Sequence, residues 1–489
     1  MPSSSTVIIC LSSVFLRLTL LSIGVSEYLT TRIEVTTLSN GLPSIKEGAH
    51  FVNNNVSPYD GSSSRATPIS IQLYQLTSVW PAVHQDAPHC LLLAIIDVLA
   101  AVLLRNLSKL ACTRGAPPTE QSKAVVSPDL LMAMYLFNPL SLMSSAAGTS
   151  TPLENCCILL ALHAACKGYL VMTAVSLAAA TYFGLYPILL LVPLTVLIKC
   201  GPDQTSATQK LKPGAGVKVR SEGGAIQSSR LQRELAADLQ SSSARNRRSS
   251  TSVVFLALLL CLATIISFLA LLALSDLILQ DFPSEQCLPM LMRQIPALNL
   301  NLSGLMHTCS TLPSAVQSSC WAFSVYRLPL LFEDLTPNLG QWWYFFAQMF
   351  PDQRLFFAFV ANALCALFVV PSAIRFPSRG LLLATLQIGI SCMLRAYPSV
   401  GDLGLYLSVL ILLGPQLQFF KIGLFLANSL LLLSVLGPAM WHQWIDAESA
   451  NSNFYYSITL LLGAWHVVFL VQILTSALKV EAALTSKVI

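Results

Sequence analysis

Charge is what this sequence is short of. Only 10% of its 489 residues are Asp, Glu, Lys or Arg, against about 25% in soluble domains, while 54% are hydrophobic and the mean hydropathy is +0.65. So few ions cannot wet a globular surface, which excludes a soluble enzyme and points to a membrane protein. Local signatures of familiar chemistry are missing too: no G-x-S-x-G elbow, no H-E-x-x-H, no Walker loop and no C-x-x-C pair. His307 and Cys309 are near neighbours, read as a surface histidine beside a lumenal thiol rather than a dyad.

What charge there is reports topology. The net charge of +5 gathers in loops: nine Lys/Arg fall between 201 and 250, including Arg245, Arg247 and Arg248, and the loops around Arg105–Lys123, Arg375–Arg379 and Lys421 are basic. A solvated loop charge is no nucleic-acid footprint; by the positive-inside rule these loops face the cytosol. Val253–Leu274, Ile422–Leu436 with its flanks, and Ser457–Leu478 are long enough to span. Val7–Val25 carries Arg17 and no small-residue cleavage site follows, so it reads as a retained first span. Threading the chain predicts an all-α polytopic fold of about twelve crossings, some short or tilted, with both termini cytosolic.

The remaining segments follow from that thread. Residues 26–88, rich in Ser, Thr and Asn, form a lumenal loop with short amphipathic pieces; 201–250 forms a disordered basic cytosolic loop; 280–325 is a lumenal insertion. The insertion carries Cys287, Cys309 and Cys320, where one disulfide with one thiol left over fits the oxidising side, and the sequon at Asn301 agrees with that side. Cys156, Cys157, Cys261 and Cys365 read as small apolar residues within spans. "YLFNPL" (135–140) and "FGLYPILLLVP" (183–193) interrupt helix at Asn-Pro and Tyr-Pro, which membrane depth tolerates only where protein or a cavity covers the break.

Few ionisable residues sit at depth, Arg17, Asp97 and Arg395 being the clearest; each costs roughly 2.5–3.5 kcal/mol on insertion scales. An Asp97–Arg pair is one reading and a substrate path the other. They form no relay series and the halves show no repeat symmetry, which lowers a transporter. A transferase using a lipid-linked sugar needs an acidic residue or pair in its first lumenal loop, yet Glu27, Glu34, Glu47, Asp60 and Asp86 each stand alone and the adjacent pair Glu333-Asp334 comes much later.

Two aromatic, amide-bearing stretches remain. In "FEDLTPNLGQWWYFFAQMFPD" (332–352) the plain reading is an interfacial belt. The functional one is a surface for a lipid at its headgroup–chain boundary, Trp342 and Phe345 meeting the glycerol or acyl region and Asp334, Asn338 and Gln341 the polar groups. In 441–454, Asn451 and Asn453 share a face if the segment is extended, and their amides suit sugar or phosphate oxygens.

"LTPNLGQWWYFFAQMF", "AYPSVGDLGLY" (396–406) and "PAMWHQWIDAESANSNFYYSITL" (438–460), with "VSPYDG" and "YLFNPL" more weakly, closely resemble the PIG-U family of glycosylphosphatidylinositol (GPI) transamidase subunits. The resemblance is dense from Asp334 onward, scattered before it, and lends nothing to 201–250 or most of 280–325. It implies a multispanning endoplasmic-reticulum subunit with a fold similar to the lipid-dependent (GT-C type) mannosyltransferases. Such a subunit presents the GPI lipid and scaffolds the complex without catalytic residues, metal or cofactor of its own, the transamidation belonging to a separate cysteine-protease-like subunit. The family's "SANSNF" motif, matched at Ser449 to Phe454, carries GPI contact to Asn451 and Asn453; extending it to Asp334, Asn338, Trp342 and Phe345 is an inference from the residues. The alternative is a dolichol-phosphate-mannose-dependent mannosyltransferase of GPI assembly.

Overall fold

A backbone that leaves water must satisfy its N–H and C=O groups within its own segment, so helices are what an apolar chain of this kind can build. The computed structural model describes residues 4–59, 64–79, 86–113, 126–202, 250–279 and 320–485, and among these there is no strand. Asp60, the Asn301 sequon, Cys287, Cys309, His307 and the greater part of 201–250 and 280–325 lie outside the described residues, as does the Cys320 side chain.

The first half comprises α1 (Ser4–Ser22), α2 (Val25–Thr30), α3 (Leu42–Asn53), α4 (Pro68–Ser78), α5 (Ala87–Thr113), α6 (Pro128–Leu136), α7 (Pro139–Ala146), α8 (Thr151–Lys167), α9 (Leu170–Phe183) and α10 (Leu191–Cys200). After these come α11 (Ser250–Ile278), α12 (Cys320–Leu331), α13 (Trp342–Ala347), α14 (Pro351–Leu367), α15 (Val369–Arg375), α16 (Gly380–Leu394), α17 (Val400–Leu410), α18 (Gly414–Leu417), α19 (Gly423–Trp441) and α20 (Ser452–Thr485). Among the described residues, six segments are long and apolar enough to cross a bilayer: Ser4–Ser22, Ala87–Ala111, Val253–Ile278, Pro351–Arg375, Gly423–Asp446 and Ser452–Ala482. Shorter apolar helices run over Leu170–Phe183, Tyr186–Cys200, Gly380–Leu394 and Val400–Leu413.

The interruptions fall where the prolines put them. Asn138 ends one helix and begins the next: its Oδ1 accepts from Leu140 N at 3.1 Å, with Pro139 at the first helical position of α7. At "FGLYP", α9 stops at Phe183, a 3-10 turn covers Tyr186–Leu190, and α10 resumes. Gly184 is required there, because a Cβ would lie 2.4 Å from the Glu154 carboxylate. Residues 26–88 do hold short helices, α2 to α4, with Leu42, Ile45 and Ala49 turned inward from α3.

The principal core joins α5, α6 and α8 to α9, α10, α16, α17 and α20. α16 is buried from Gly380 to Ile390 on all sides, which explains why it need not be long. By contrast α11 exposes Phe255, Leu258, Leu262, Ile266 and Leu269, an apolar face of the kind lipid covers. Arg17 and Asp97 meet in the interior: Nη2 lies 3.0 Å from Oδ2, both side chains are 2% exposed, Ser145 accepts from Arg17 Nε at 2.9 Å, and the Tyr135 hydroxyl donates to Asp97 Oδ1 at 3.2 Å. Of the two readings of these residues, structural pairing is the one observed.

Candidate functional site

The stretch 332–341 is an ordered loop held by its own polar side chains. Asp334 accepts from Thr336 N at 2.9 Å and from Thr336 Oγ1 at 2.7 Å, closing an Asx turn. Tyr397 Oη accepts from Asp334 N at 3.0 Å and donates to Asp334 O at 3.1 Å, tying the loop to "AYPS". Asn338, 3% exposed, accepts from Gly340 N at 2.7 Å and donates to Thr336 O at 3.3 Å. Asp334 and Asn338 thus shape the loop. The Trp342 indole donates to Leu394 O at 2.8 Å, which anchors α13 on the end of α16. Phe345 stays 39% exposed with its edge on Trp342 and Phe357.

The opposite face of α13 meets the second stretch. Trp343 stacks on Trp444 at 6.3 Å between centroids and meets Tyr455 and Tyr456, and Trp441 closes the group against Trp444 and Tyr455. Tyr344 stacks on Tyr456 at 4.2 Å, and its hydroxyl donates to Asn453 Oδ1. Such offset and edge contacts contribute about 0.5–1.5 kcal/mol each beyond area burial. Trp343 Nε1 and Tyr455 Oη are buried here without a protein partner.

The structure corrects one premise about the asparagines: the segment is not extended. A π turn spans His442–Asp446, Glu448 takes φ 51°, and Asn451 becomes the cap of α20, its Oδ1 accepting from Asn453 N at 3.0 Å. Asn453 sits in the first helical turn. The amide pair is therefore set by a helix start, with both residues exposed and their side-chain oxygens engaged by protein.

Arg395 sits in a clamp that sequence reading only half found. Its guanidinium lies 2.5 Å from Asp402 Oδ1 and 3.3 Å from Glu154 Oε1, above the Tyr186 ring at 5.4 Å. Asp402 also accepts from Ser399 N at 2.8 Å and Ser399 Oγ at 3.1 Å, a capping box that starts α17. The S-x-x-D spacing ahead of an apolar run was a readable sign of Asp402; Glu154 carried none, because only the fold brings it to Arg395. A small cavity lined by Glu154, Asn155, Tyr186, Arg395 and Asp402 opens beside the clamp. Within residues 26–88, Glu34 pairs with Arg32 at 3.0 Å and Asp86 with Lys46 at 2.9 Å, and Asp86 also accepts from Tyr74 at 3.0 Å.

Comparison with known proteins matches the chain to the family model of GPI transamidase subunit PIG-U over residues 11–289 and 285–462. The chain is similar to the GPI-anchor transamidase component PIGU of Mus musculus, 26% identical over 487 residues covering 97% of this chain and 93% of the relative. It is also similar to the GPI transamidase component GAB1 of Saccharomyces cerevisiae, 26% identical over 481 residues, with 98% and 96% covered. A GAB1 homolog of Schizosaccharomyces pombe is 25% identical over 450 residues, with 92% and 88% covered.

Proposed function

The chain belongs to the PIG-U family of GPI transamidase subunits, and from that premise we propose that it is a non-catalytic subunit that holds the GPI lipid and scaffolds the complex in the endoplasmic-reticulum membrane while anchors are attached to proteins. The transamidation itself is assigned to a separate cysteine-protease-like partner. About twelve crossings of a GT-C-like bundle, with both termini cytosolic, are part of the same proposal.

One observation carries it. The two motifs, far apart in sequence, meet through Tyr344 and Asn453, and Asn451 and Asn453 are exposed beside the aromatic cluster where that contact is made. Exposed asparagine amides beside a wall of tryptophan and tyrosine suit a lipid whose headgroup carries sugar and phosphate oxygens. In this reading Asn451 and Asn453 contact the headgroup, Trp342 and Phe345 face its glycerol and acyl side, and Asp334 and Asn338 hold the loop that presents them.

The expected result is that Asn451→Ala and Asn453→Ala lower GPI-anchored protein at the cell surface, by flow cytometry, while the subunit still co-purifies with the protease-like partner. Normal anchoring in both variants removes the lipid contact. Lipids of a null cell separate the mannosyltransferase alternative: complete GPI accumulates if the chain acts at attachment, a truncated glycan if it transfers mannose.

A further inference from the structure

Asn155 is 4% exposed, and the two polar atoms of its amide are treated differently. Nδ2 donates to Gly401 O at 3.1 Å, which sets the orientation of the amide. Oδ1 is buried and has no partner among the described residues. The neighbouring Glu154 holds Arg395, whose Nη1 and Nη2 are occupied by Glu154 and Asp402. Arg395 Nε is likewise buried with no partner among the described residues. One clamp thus leaves an acceptor and a donor unmatched, and a buried polar group without a hydrogen bond is costly.

Both residues line the small cavity beside the clamp, of about 30 Å³. That is room for about one or two waters and for nothing larger. Its charges narrow the choice further. A small anion would face the carboxylates of Glu154 and Asp402, which also line the space. A metal ion would face the guanidinium and leave the Nε–H unsatisfied. Water both accepts and donates.

We propose that an ordered water sits here, accepting from Arg395 Nε and donating to Asn155 Oδ1, with its second proton toward Glu154 or Asp402. Three bonds is about the usual number for a buried water. Bound in this way, it makes Asn155 a positioning residue. Helix α8 then holds the guanidinium twice, directly through Glu154 and through water from Asn155, while the same amide reaches the start of α17 at Gly401. The proposal is independent of the lipid-presenting reading.

The intact complex, purified in mild detergent, tests it in two ways. A density map fine enough to show other buried waters should place a peak within about 3.2 Å of both Arg395 Nε and Asn155 Oδ1. No peak there overturns the proposal, as does one on the carboxylates at the distances of about 2.3–2.6 Å typical of a metal ion. The second arm compares Asn155→Leu with Asn155→Ala, both of which lose the bond to Gly401. Leucine fills the cavity and displaces the water, whereas alanine admits a second water in place of the amide. The unfolding midpoint should therefore fall a few degrees further with Asn155→Leu than with Asn155→Ala. Packing alone gives the reverse order, because alanine leaves a void; equal midpoints or that reverse order overturn the proposal. Overpacking by leucine is separated by repeating the pair in Arg395→Met/Glu154→Gln/Asp402→Asn, which has no Nε–H to satisfy. The extra loss with leucine should vanish there, and its persistence also overturns the proposal. Where neither single variant assembles, the wild-type map decides.

Discussion

At the scale of single residues, Asn451 does two separable things. Its side-chain oxygen caps α20, and the residue is exposed, so its amide N–H donors can serve a ligand. Asn451→Asp keeps an oxygen at the cap and adds a charge the helix N-terminus favours, but removes the N–H donors. The expected outcome is unchanged thermal stability of the solubilised complex with reduced surface anchoring; Asn451→Ala should also lose about 1 kcal/mol of helix stability. Equal loss of stability and anchoring in Asn451→Asp would make the residue a cap and nothing more. The stretch holding "SANSNF" stood out in the sequence through its polar composition between leucine runs, but the cap did not. Reading i and i+2 as one face assumed an extended chain, and a helix start replaces alternation with a capping bond. Tyr344 was visible only as part of an aromatic run, since its bond to Asn453 spans 109 residues.

At the scale of elements, punctuation was the most legible feature. Asn-Pro and Tyr-Pro broke helices where expected because proline restricts its predecessor in any setting. Burial was less so: α16 and α17 are short apolar helices, and the burial of nearly every residue in them comes from neighbours that no local pattern announces. Arg17 and Asp97, read as a pair or a path, join α1 to α5. With both side chains 2% exposed, removing one partner leaves an uncompensated charge, and Asp97→Ala should cost about 3–5 kcal/mol. The double variant Arg17→Met/Asp97→Leu should recover most of that loss, measured as the unfolding midpoint in detergent. A double variant as unstable as the single one would point to a function for the charges beyond pairing.

On the scale of the whole molecule, the clamp at Arg395 joins the two halves. Glu154 comes from α8, Tyr186 from the turn after α9, and Asp402 from the start of α17, so one guanidinium ties segments 241 residues apart. The same region holds the 332–341 loop in place: Ala396 N donates to Tyr186 Oη at 2.9 Å, and Tyr397 fixes the loop that carries Asp334. Arg395 was visible from sequence as a charge at depth, whereas its carboxylates were hidden in a capping box and an unremarkable helix. Arg395→Met leaves two buried carboxylates facing one another, each 8% exposed or less, with no cation to share. That arrangement should cost about 3–5 kcal/mol or force a proton onto one of them. The expected consequence is loss of the subunit from the complex on gentle warming, together with reduced surface anchoring. Neutralising the whole group with Arg395→Met/Glu154→Gln/Asp402→Asn removes the repulsion and should restore much of the assembly. If the triple variant assembles but anchoring stays low, the clamp contributes to lipid presentation through the loop it braces. If assembly and anchoring return together, its role is to hold the halves in register.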